Sequence, residues 1–489
     1  MASLAELRAE RLKKLAALKE AGILAYPVES GATNTLSEAS EDFKALAKKG
    51  KNITLAGRVM GLRGQGAIIF FDLDDGTGKF QALIRKDELP ESERELFAST
   101  VDVGDIVAVT GELFLTKREE QTILVKSWRM LAKSLRPLPD KWDGLKDPDE
   151  RFRRRYLDSL MNLEVKKRFQ MRSQIIREIR NFLDKDGFME VETPMLQPLY
   201  GGATAEPFTT HHNALDIDLY LRISPELYLK RMLVGGLPKV YELARNFRNE
   251  GIDVTHNPEF TMLEFYSAYS TSELERARVE KMLKKTVKAV TGSSKVAFNG
   301  ELIDFSKKFK VITYTELLER LALINNPIGL SREELELKAR QLAVSVSPAD
   351  SREKILDSIY KKVCRPKIIQ PTFIVDYPAD YLPLAKRRSD DSRLVDAFQL
   401  VVGGLEVVKA FSELNDPLDQ RERFMEQEKQ KKAGDAEAQS LDEDFIEALE
   451  YGMPPAGGVG IGIDRLVMLL TDTQNIREVI YFPTLRPRD

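Results

Sequence analysis

GGVGIGIDR, residues 457–465, joins a glycine-rich strand to an arginine at the start of a helix. About two hundred residues earlier, residues 248–260 bring an arginine, a histidine and a phenylalanine close to a turn. Arginine side chains and helix N-termini bind phosphate oxygens, and an aromatic ring can stack on a base. Neither stretch has the Lys-Ser/Thr ending of a phosphate loop or the spacing of a Gly-x-Gly-x-x-Gly dinucleotide loop. The two stretches together predict a nucleotide site of another kind.

The composition describes a chain of 489 residues that can bury large cores, with 43% hydrophobic and 31% charged residues. Because single cores stop growing at roughly 250–300 residues, more than one domain is expected. The net charge of -3 argues against an overall basic nucleic-acid binder. One cysteine, Cys364, excludes internal disulfides and thiolate metal clusters and favours a reducing compartment. The sequence contains neither a long apolar run nor a recognisable targeting segment, so a cytoplasmic protein without membrane contact is expected.

Residues 51–135 are predicted to form a small barrel that follows a helical extension at residues 1–50. Short alternating strands are separated by turns such as Asp75-Gly76-Thr77-Gly78. Five strands within so short a span predict an OB-fold, whose usual ligand is single-stranded nucleic acid. The strands are predicted at residues 53–62, 68–73, 79–84, 105–115 and 122–130.

Residues 136–155 are interpreted as a linker, because prolines and a run of arginines punctuate them. The run comprises Arg151, Arg153, Arg154 and Arg155. A cationic run can contact a phosphate backbone, but the spacing slightly favours a solvated charge run.

Residues 156–489 mix helices and strands irregularly. Adjacent predicted strands and the turn at Gly403-Gly404 favour an antiparallel sheet flanked by helices over an alternating parallel fold. The predicted fold class is therefore α+β multidomain, with residues from about 306 to 370 forming a mainly helical insertion. The predicted elements are a helix at 163–186 and strands at 219–223, 240–244, 259–265, 373–375, 397–402 and 405–411.

The turn at Gly403-Gly404 predicts the register of a hairpin. A two-residue turn places Gln399 opposite Val408, with Gln399 and Glu406 on one face. Strict alternation then places Glu406 and Lys409 on opposite faces. If both line one site, a bulge must lie between them.

Several longer motifs resemble those of class II aminoacyl-tRNA synthetases. The three marks of that class occur in order: a helix, strand and proline ending at Pro194, then RNFRNE at 245–250 and GIGIDR at 460–465. Within the class, the chain resembles the lysyl-tRNA synthetases from its N-terminal helix to its C-terminus. The stretches that carry this resemblance are GGA at 201–203, THHNAL at 210–215, LRISPEL at 221–227, FSELNDP at 411–417 and EYGMPP at 450–455.

The resemblance implies attack of a lysine carboxylate on the α-phosphate of ATP, with Mg²⁺ neutralising the leaving group, followed by transfer of lysine to tRNA(Lys). It also implies roles for individual residues. The implied ATP-binding residues are Arg248, Glu250, His256, Phe260, Glu406 and Arg465, of which Arg248, Glu406 and Arg465 are catalytic. The implied lysine-binding residues are Gly202, Glu226, Glu264, Tyr266, Lys409, Phe411 and Glu413. The residues implied to contact the anticodon are Arg63, Phe70 and Gln81.

Two residues depart from the family pattern. The family usually has glutamate at the position of Gln399 and asparagine at that of Lys409. In the family, the acids at the positions of Gln399 and Glu406 hold magnesium and ATP. Glutamine keeps an oxygen ligand but loses a full charge, so Glu406 is the firmer metal ligand of the two. We hypothesise that Lys409 partly replaces a metal ion.

Two alternatives compete with a lysine–tRNA ligase. Aspartyl- and asparaginyl-tRNA synthetases share the barrel-plus-catalytic arrangement, but Glu264, Tyr266 and Glu413 suit a cationic substrate better than an acidic one. A catalytically retired tRNA-binding paralogue is made conceivable by Gln399 and Lys409. The resemblance further implies a homodimer formed through the segment that ends at Pro194.

Overall fold

The structure is a computed structural model that describes residues 3–64, 68–139, 145–348, 350–432 and 439–488. The chain divides into two compact units, Met1–Leu145 and Lys146–Asp489. Across the described ranges, every helix is too short or too polar to cross a bilayer.

The first unit contains a closed five-stranded barrel with the strand order β1-β2-β3-β5-β4. Alternate residues of β2 fill it, since Ile69, Phe71 and Leu73 are buried and the residues between them are partly exposed. This barrel confirms the predicted OB-fold. Its strands are β1 Ile53–Arg63, β2 Ile68–Asp74, β3 Lys79–Arg85, β4 Ile106–Leu115 and β5 Gln121–Ala132. The helices of this unit are α1 Leu4–Glu20, α2 Leu36–Glu41, α3 Phe43–Lys49 and α4 Glu91–Thr100.

The second unit is built on an eight-stranded sheet with the order β14-β15-β16-β17-β18-β11-β10-β6. Neighbouring strands are antiparallel except for the outermost pair at each edge, which confirms the predicted α+β fold. Smaller sheets pair β12 with β13 and order three strands as β7-β9-β8. The first strands of the unit are β6 Met189–Glu190, β7 Leu196–Gln197, β8 Thr209–His212, β9 Ile217–Leu221, β10 Lys239–Phe247 and β11 Glu259–Ala268. The remaining strands are β12 Lys295–Phe298, β13 Glu301–Asp304, β14 Lys310–Thr313, β15 Thr372–Pro378, β16 Leu394–Val402, β17 Leu405–Ser412 and β18 Ala456–Gly462.

Helices cover one face of the large sheet and form its core. Apolar residues of α7, α9 and α15, among them Ile179, Val279 and Val467, pack with Phe265 and Val459 of the sheet. The helices that begin the unit are α5 Pro148–Arg153, α6 Arg155–Met161, α7 Leu163–Lys185, α8 Glu226–Val234 and α9 Ser272–Thr291. The later helices are α10 Tyr314–Ala322, α11 Arg332–Gln341, α12 Arg352–Ile359, α13 Pro417–Lys432, α14 Glu443–Glu450 and α15 Ile463–Leu470.

The described part of the segment predicted as a helical insertion at about 306–370 contains the α-helices α10 to α12, a π-helix at Tyr360–Cys364 and a 3₁₀ helix at Arg365–Lys367, but it begins with a strand. Residues Lys310–Thr313 form β14, which pairs in parallel with β15 at the edge of the large sheet. The β-branched residues Val311, Ile312 and Thr313 explain this preference. The insertion is thus joined to the main sheet at its start, which the sequence did not predict.

The arginine run predicted to be a solvated part of a linker is built into the second unit. Arg155 is fully buried and donates from Nη1 to Asp158 Oδ2 at 2.7 Å and from Nη2 to the Arg477 carbonyl at 2.7 Å. Its guanidinium also lies 5.1 Å from the centre of the Phe152 ring. The prediction of a linker is therefore wrong for residues 148–155, because a buried arginine needs fixed partners that the last residues of the chain supply.

Replacing Arg155 with alanine is expected to lower the free energy of unfolding of the second unit by about 3 kcal/mol, because the carbonyl groups of Arg477 and Tyr481 lose a buried donor and Asp158 keeps only its pair with Arg151. Urea unfolding followed by circular dichroism measures this loss. Arg154→Ala is the matched control, since the Arg154 side chain is 41% exposed and pairs with Glu150 on the surface. It should cost less than about 1 kcal/mol. Equal losses in the two variants would contradict the structural role of Arg155.

Candidate active site

The central strands of the large sheet divide their side chains between the core and a cleft. In β11, Leu263 and Phe265 are buried in the core, whereas Glu264 and Tyr266 line the cleft on the other face. The cleft has a volume of about 700 Å³, which is within the usual range of ligand sites.

The glycines of β18 keep this cleft open. Gly458 and Gly460 face it, while Val459 between them is buried in the core. A Cβ atom at Gly458 would clash with the Glu413 carboxylate and the Tyr266 ring. The glycine-rich stretch is therefore a strand without side chains on its cleft face, which leaves room for neighbouring strands and a ligand.

Most of the predicted site residues line this one cleft. The predicted nucleotide residues found there are Arg248, Glu250, His256, Phe260, Glu406 and Arg465, together with Gln399. The predicted lysine-binding residues found there are Gly202, Glu226, Glu264, Tyr266, Lys409 and Phe411. Glu413 is 1% exposed and lies behind the cleft wall, next to Gly458.

Arg248 and Phe260 form a pair at the open end of β10 and β11. The Arg248 guanidinium carbon lies 5.0 Å from the centre of the Phe260 ring, at cation–π distance. Arg248 Nε is buried without a hydrogen-bond partner among the described residues. Enclosure in the cleft, together with the positive charge of Arg465, lowers the pKa of Arg248. Within the described residues this guanidinium thus has an unused donor, which an anionic ligand can occupy.

Arg465 lies in the first turn of α15 and contacts His256. Its Nη2 atom lies 3.0 Å from His256 Nε2, and its Nη1 donates to the Glu406 carbonyl at 3.2 Å. Because a guanidinium can only donate, Nε2 accepts and the ring proton sits on Nδ1, 2.8 Å from Asp253 Oδ2. Partial burial raises the pKa of Asp253, but hydrogen bonds from Thr255 and His256 outweigh it and lower the value to about 2. Asp253 thus fixes the orientation of His256.

Glu264 is the buried acid at the centre of the cleft. Its carboxylate accepts hydrogen bonds from Ser224 Oγ at 2.8 Å and from the Tyr266 hydroxyl at 3.0 Å. Burial and the nearby negative charge of Glu226 raise the pKa of Glu264 to about 8. Without a ligand the acid is therefore largely protonated at neutral pH, and a bound cation would favour its ionised form.

Lys230 is a fully buried lysine that the sequence motifs do not indicate. Its ammonium lies 2.7 Å from Glu226 Oε1 and also pairs with Glu413 Oε2. These two acids raise the pKa of Lys230 even though burial opposes the shift. The available signal was the spacing of Glu226 and Lys230, four residues apart on one face of α8.

Glu413 keeps one carboxylate oxygen free. Oε2 pairs with Lys230, whereas Oε1 has no hydrogen-bond partner among the described residues. Burial raises the pKa of Glu413, and Lys230 opposes this effect. The structure therefore places Glu413 beside the cleft but already shared with an internal lysine, which the sequence did not indicate.

The hairpin of β16 and β17 contains a bulge. A bulge was predicted for the case in which Glu406 and Lys409 line one site. Val401 pairs with Glu406, but Gln399 pairs with Lys409 and not with Val408. The predicted pairing of Gln399 with Val408 is wrong, because one extra residue of β17 lies between the two rungs. The bulge lets both Glu406 and Lys409 line the cleft.

Gln399 is held by two tyrosines that the sequence motifs do not indicate. Its Oε1 atom accepts hydrogen bonds from the Tyr377 hydroxyl at 2.9 Å and the Tyr360 hydroxyl at 3.1 Å. Tyr360 belongs to the segment that was predicted only as a mainly helical insertion. Residues of α12, including Asp357, also line the cleft. Strand periodicity could place Gln399, but only the fold shows what surrounds it.

The three predicted anticodon residues lie together on the outside of the barrel. Arg63 pairs with Phe70 across β1 and β2, and Asp72 pairs with Gln81 across β2 and β3. Phe70 is partly exposed between the buried residues Ile69 and Phe71. Its ring is thus available to a ligand and is not part of the barrel core.

Comparison with known proteins matches a known family to each of the two units. Residues 147–486 match the family model described as tRNA synthetases class II (D, K and N), and residues 53–131 match that of the OB-fold nucleic acid binding domain. A protein of Syntrophomonas wolfei named lysine–tRNA ligase is 48% identical over 486 residues, which cover 99% of this chain and 98% of that protein. Proteins of the same name are 48% identical in Pelotomaculum thermopropionicum, covering 99% and 96%, and in Moorella thermoacetica, covering 99% and 98%. The chain therefore belongs to the class II tRNA synthetase family of the D, K and N type.

Proposed function

We propose that the protein is a lysine–tRNA ligase, which joins lysine to ATP as lysyl-adenylate and then transfers it to the 3′ end of tRNA(Lys). The observation that supports lysine as the substrate is the charge of a buried cluster of side chains. Glu226 and Glu413 form ion pairs with one internal ammonium, that of Lys230, and Glu264 lies close enough to Glu226 for that negative charge to raise its pKa. When all three acids are ionised, the cluster is short of two positive charges, which the two ammonium groups of lysine supply.

An acidic amino acid does not balance this cluster. Aspartate carries one ammonium and an additional carboxylate, which would lie among acids that are already short of cations. The raised pKa of Glu264 is the sign of that shortage, since burial and Glu226 together hold a proton on it at neutral pH. Lysine is therefore favoured over the aspartate and asparagine of related enzymes.

The first step requires positioning more than proton transfer. A carboxylate oxygen of lysine attacks the α-phosphorus of ATP, a new P–O bond forms, and the bond to the β-phosphate breaks to release pyrophosphate. Because the nucleophile is already an anion, catalysis depends on orientation and on positive charge around the phosphate. We propose that Arg248, whose Nε has no hydrogen-bond partner among the described residues, bridges the carboxylate and the α-phosphate.

The remaining cleft residues are proposed to bind ATP, in the roles that the family resemblance implies. Phe260 would stack on adenine, with Glu250 near the base and His256 near the phosphates. Arg465 would bind the γ-phosphate, since it lies at the start of a helix and already contacts His256. Magnesium is proposed to accompany ATP and to neutralise its phosphates, with Glu406 as the carboxylate ligand that lines the cleft.

The second step uses the tRNA. A hydroxyl of its terminal ribose attacks the carbonyl carbon of the adenylate, an ester forms, and AMP and a proton are released. Arg63, Phe70 and Gln81 are proposed to contact the unpaired anticodon bases by stacking and hydrogen bonding. Their clustering on one outer face of the barrel supports this assignment.

Two further features of the function are proposed. A homodimer is supported by exposed apolar residues in the segment around Pro194, namely Met189, Met195, Leu196 and Leu199. The cytoplasm is the proposed location, because tRNA charging serves protein synthesis there and a single buried cysteine suits a reducing compartment.

Lysine-dependent exchange of pyrophosphate into ATP should be readily measured, whereas aspartate and asparagine should support none. Glu413→Gln should raise the KM for lysine at least about 30-fold, because a buried charge partner is lost. Glu443→Gln, at a site that is 59% exposed and pairs with Arg421, is the control and should leave the KM unchanged. Exchange that depends on aspartate would refute the proposed substrate.

The value of kcat/KM for lysine should rise with pH by about tenfold per unit up to about pH 8 and then level off. The reason is that Glu264 is protonated below its pKa of about 8 and attracts the substrate cation only when ionised. Glu264→Gln should remove this rise while lowering the plateau. An unchanged pH profile in that variant would assign the titration to another group.

Phe70→Ala should raise the KM for tRNA in aminoacylation by an amount equivalent to about 1–3 kcal/mol, because one stacked base is lost. Pyrophosphate exchange should not change, since that reaction needs no tRNA. Phe114→Ala is the matched control, because Phe114 is also a partly exposed phenylalanine of the barrel but lies on β4. A similar effect in both variants would argue against specific anticodon contact by Phe70.

A further inference from the structure

One wall of the cleft has an amide, Gln399, and an ammonium, Lys409, at the two positions where the family pattern has a glutamate and an asparagine. The hairpin of β16 and β17 pairs Gln399 directly with Lys409, and the bulge before Lys409 brings Glu406 to the same cleft. The wall therefore offers one carboxylate, one amide and one ammonium. In the described part of the chain, no three acidic, histidine or cysteine side chains are grouped as metal ligands.

Gln399 does not fit the role of a metal ligand. Its carbonyl oxygen has two lone pairs, and the hydroxyl groups of Tyr360 and Tyr377 donate to that oxygen. The other hydrogen-bonding groups of the amide are N–H donors, which repel a cation. A Mg²⁺ ion bridging residues 399 and 406 would thus have to break two buried hydrogen bonds to gain a neutral ligand.

The Lys409 ammonium is free to bind an anion. Within the described residues it forms no hydrogen bond or ion pair, and it is accessible from the cleft. It is close enough to Glu406 and Arg248 to be affected by both of their charges. Lys409 therefore lines the same cleft as Arg248 and Arg465, which also contains the lysines Lys354 and Lys361.

We propose that the Lys409 ammonium takes the place of the magnesium ion that the family binds between the two hairpin acids, by contacting the phosphates of ATP directly. A compact ammonium with three donors can neutralise phosphate oxygens without the six-ligand geometry that Mg²⁺ requires. The tyrosine-bound Gln399 removes the negative charge that would otherwise pair with Lys409. This inference rests on the proposed function, since it assumes that ATP occupies the cleft.

The test is a double variant, Gln399→Glu with Lys409→Asn, compared with the unmodified full-length chain. Binding of Mn²⁺ in the presence of a non-hydrolysable ATP analogue is counted by electron paramagnetic resonance. The rate of lysine-dependent pyrophosphate exchange is measured against free Mg²⁺ at saturating MgATP. The double variant should bind about one more ion per chain, because a carboxylate pair replaces the ammonium. For the same reason, the reaction order of its exchange rate in free Mg²⁺ should be higher by about one.

A single variant and a control separate charge from folding. Lys409→Met should slow exchange by about 100-fold, because a donor to the reacting phosphates is lost, with an unchanged circular dichroism spectrum. Lys354→Asn also removes a cation from the cleft, but the Lys354 side chain is 71% exposed and lies near Asp350. The Lys354→Asn variant should bind the same number of Mn²⁺ ions as the unmodified chain, and its exchange rate should have the same reaction order in free Mg²⁺.

The inference would be overturned if the double variant and the unmodified chain bound the same number of Mn²⁺ ions per chain and their exchange rates had the same reaction order in free Mg²⁺. The proposed function fails differently, through absence of lysine-dependent exchange in the unmodified chain. In that case the Mn²⁺ count with the ATP analogue still decides the role of Lys409, because it requires binding only.

Discussion

The catalytic unit depends on the two-residue period of its antiparallel sheet. Each central strand must supply a continuous apolar surface to helices α7, α9 and α15 on one face and a polar surface to the cleft on the other. A shift of one residue would exchange Glu264 for Leu263 and place a carboxylate in the core. The register that closes the core is therefore the same register that assembles the site.

Two local departures from that period adapt the sheet to its ligand. Glycines on the cleft face of β18 create the depth in which Tyr266 and Glu413 fit. The bulge in β17 rotates the strand so that Lys409 joins Glu406 on the cleft face. Both departures weaken a strand in isolation. The apolar packing on the opposite face compensates, because Val408, Val459 and Ile461 remain fully buried.

Much of this architecture was predictable because it follows from patterns in the chain. The five barrel strands and the hairpin at Gly403-Gly404 come from alternation and turn residues, and the cleft residues around Arg248 and Arg465 come from long family motifs. The bulge in β17 could be predicted only conditionally. The sequence shows that a bulge is needed if Glu406 and Lys409 share a site, but it does not show whether they do.

The features that escaped prediction are contacts between residues far apart in the chain. The burial of Arg155 depends on carbonyl groups at the end of the chain. Tyr360 reaches Gln399 from a segment with no recognisable motif, and Lys230 meets Glu413 across the fold. Local propensity carries no information on such pairs, because their partners are brought together only by the completed sheet.

The position of β18 has a consequence for how the protein is made. This strand, Ala456–Gly462, is the last of the sheet to be synthesised, yet it lies between β17 and β11 and joins the two halves of the sheet. Until it emerges from the ribosome, each half exposes an unpaired edge, and such edges favour aggregation. A polypeptide that stops before residue 456 would therefore have two half-sheets with unpaired edges and no joined cleft, which is a loss of architecture and not a weakened site.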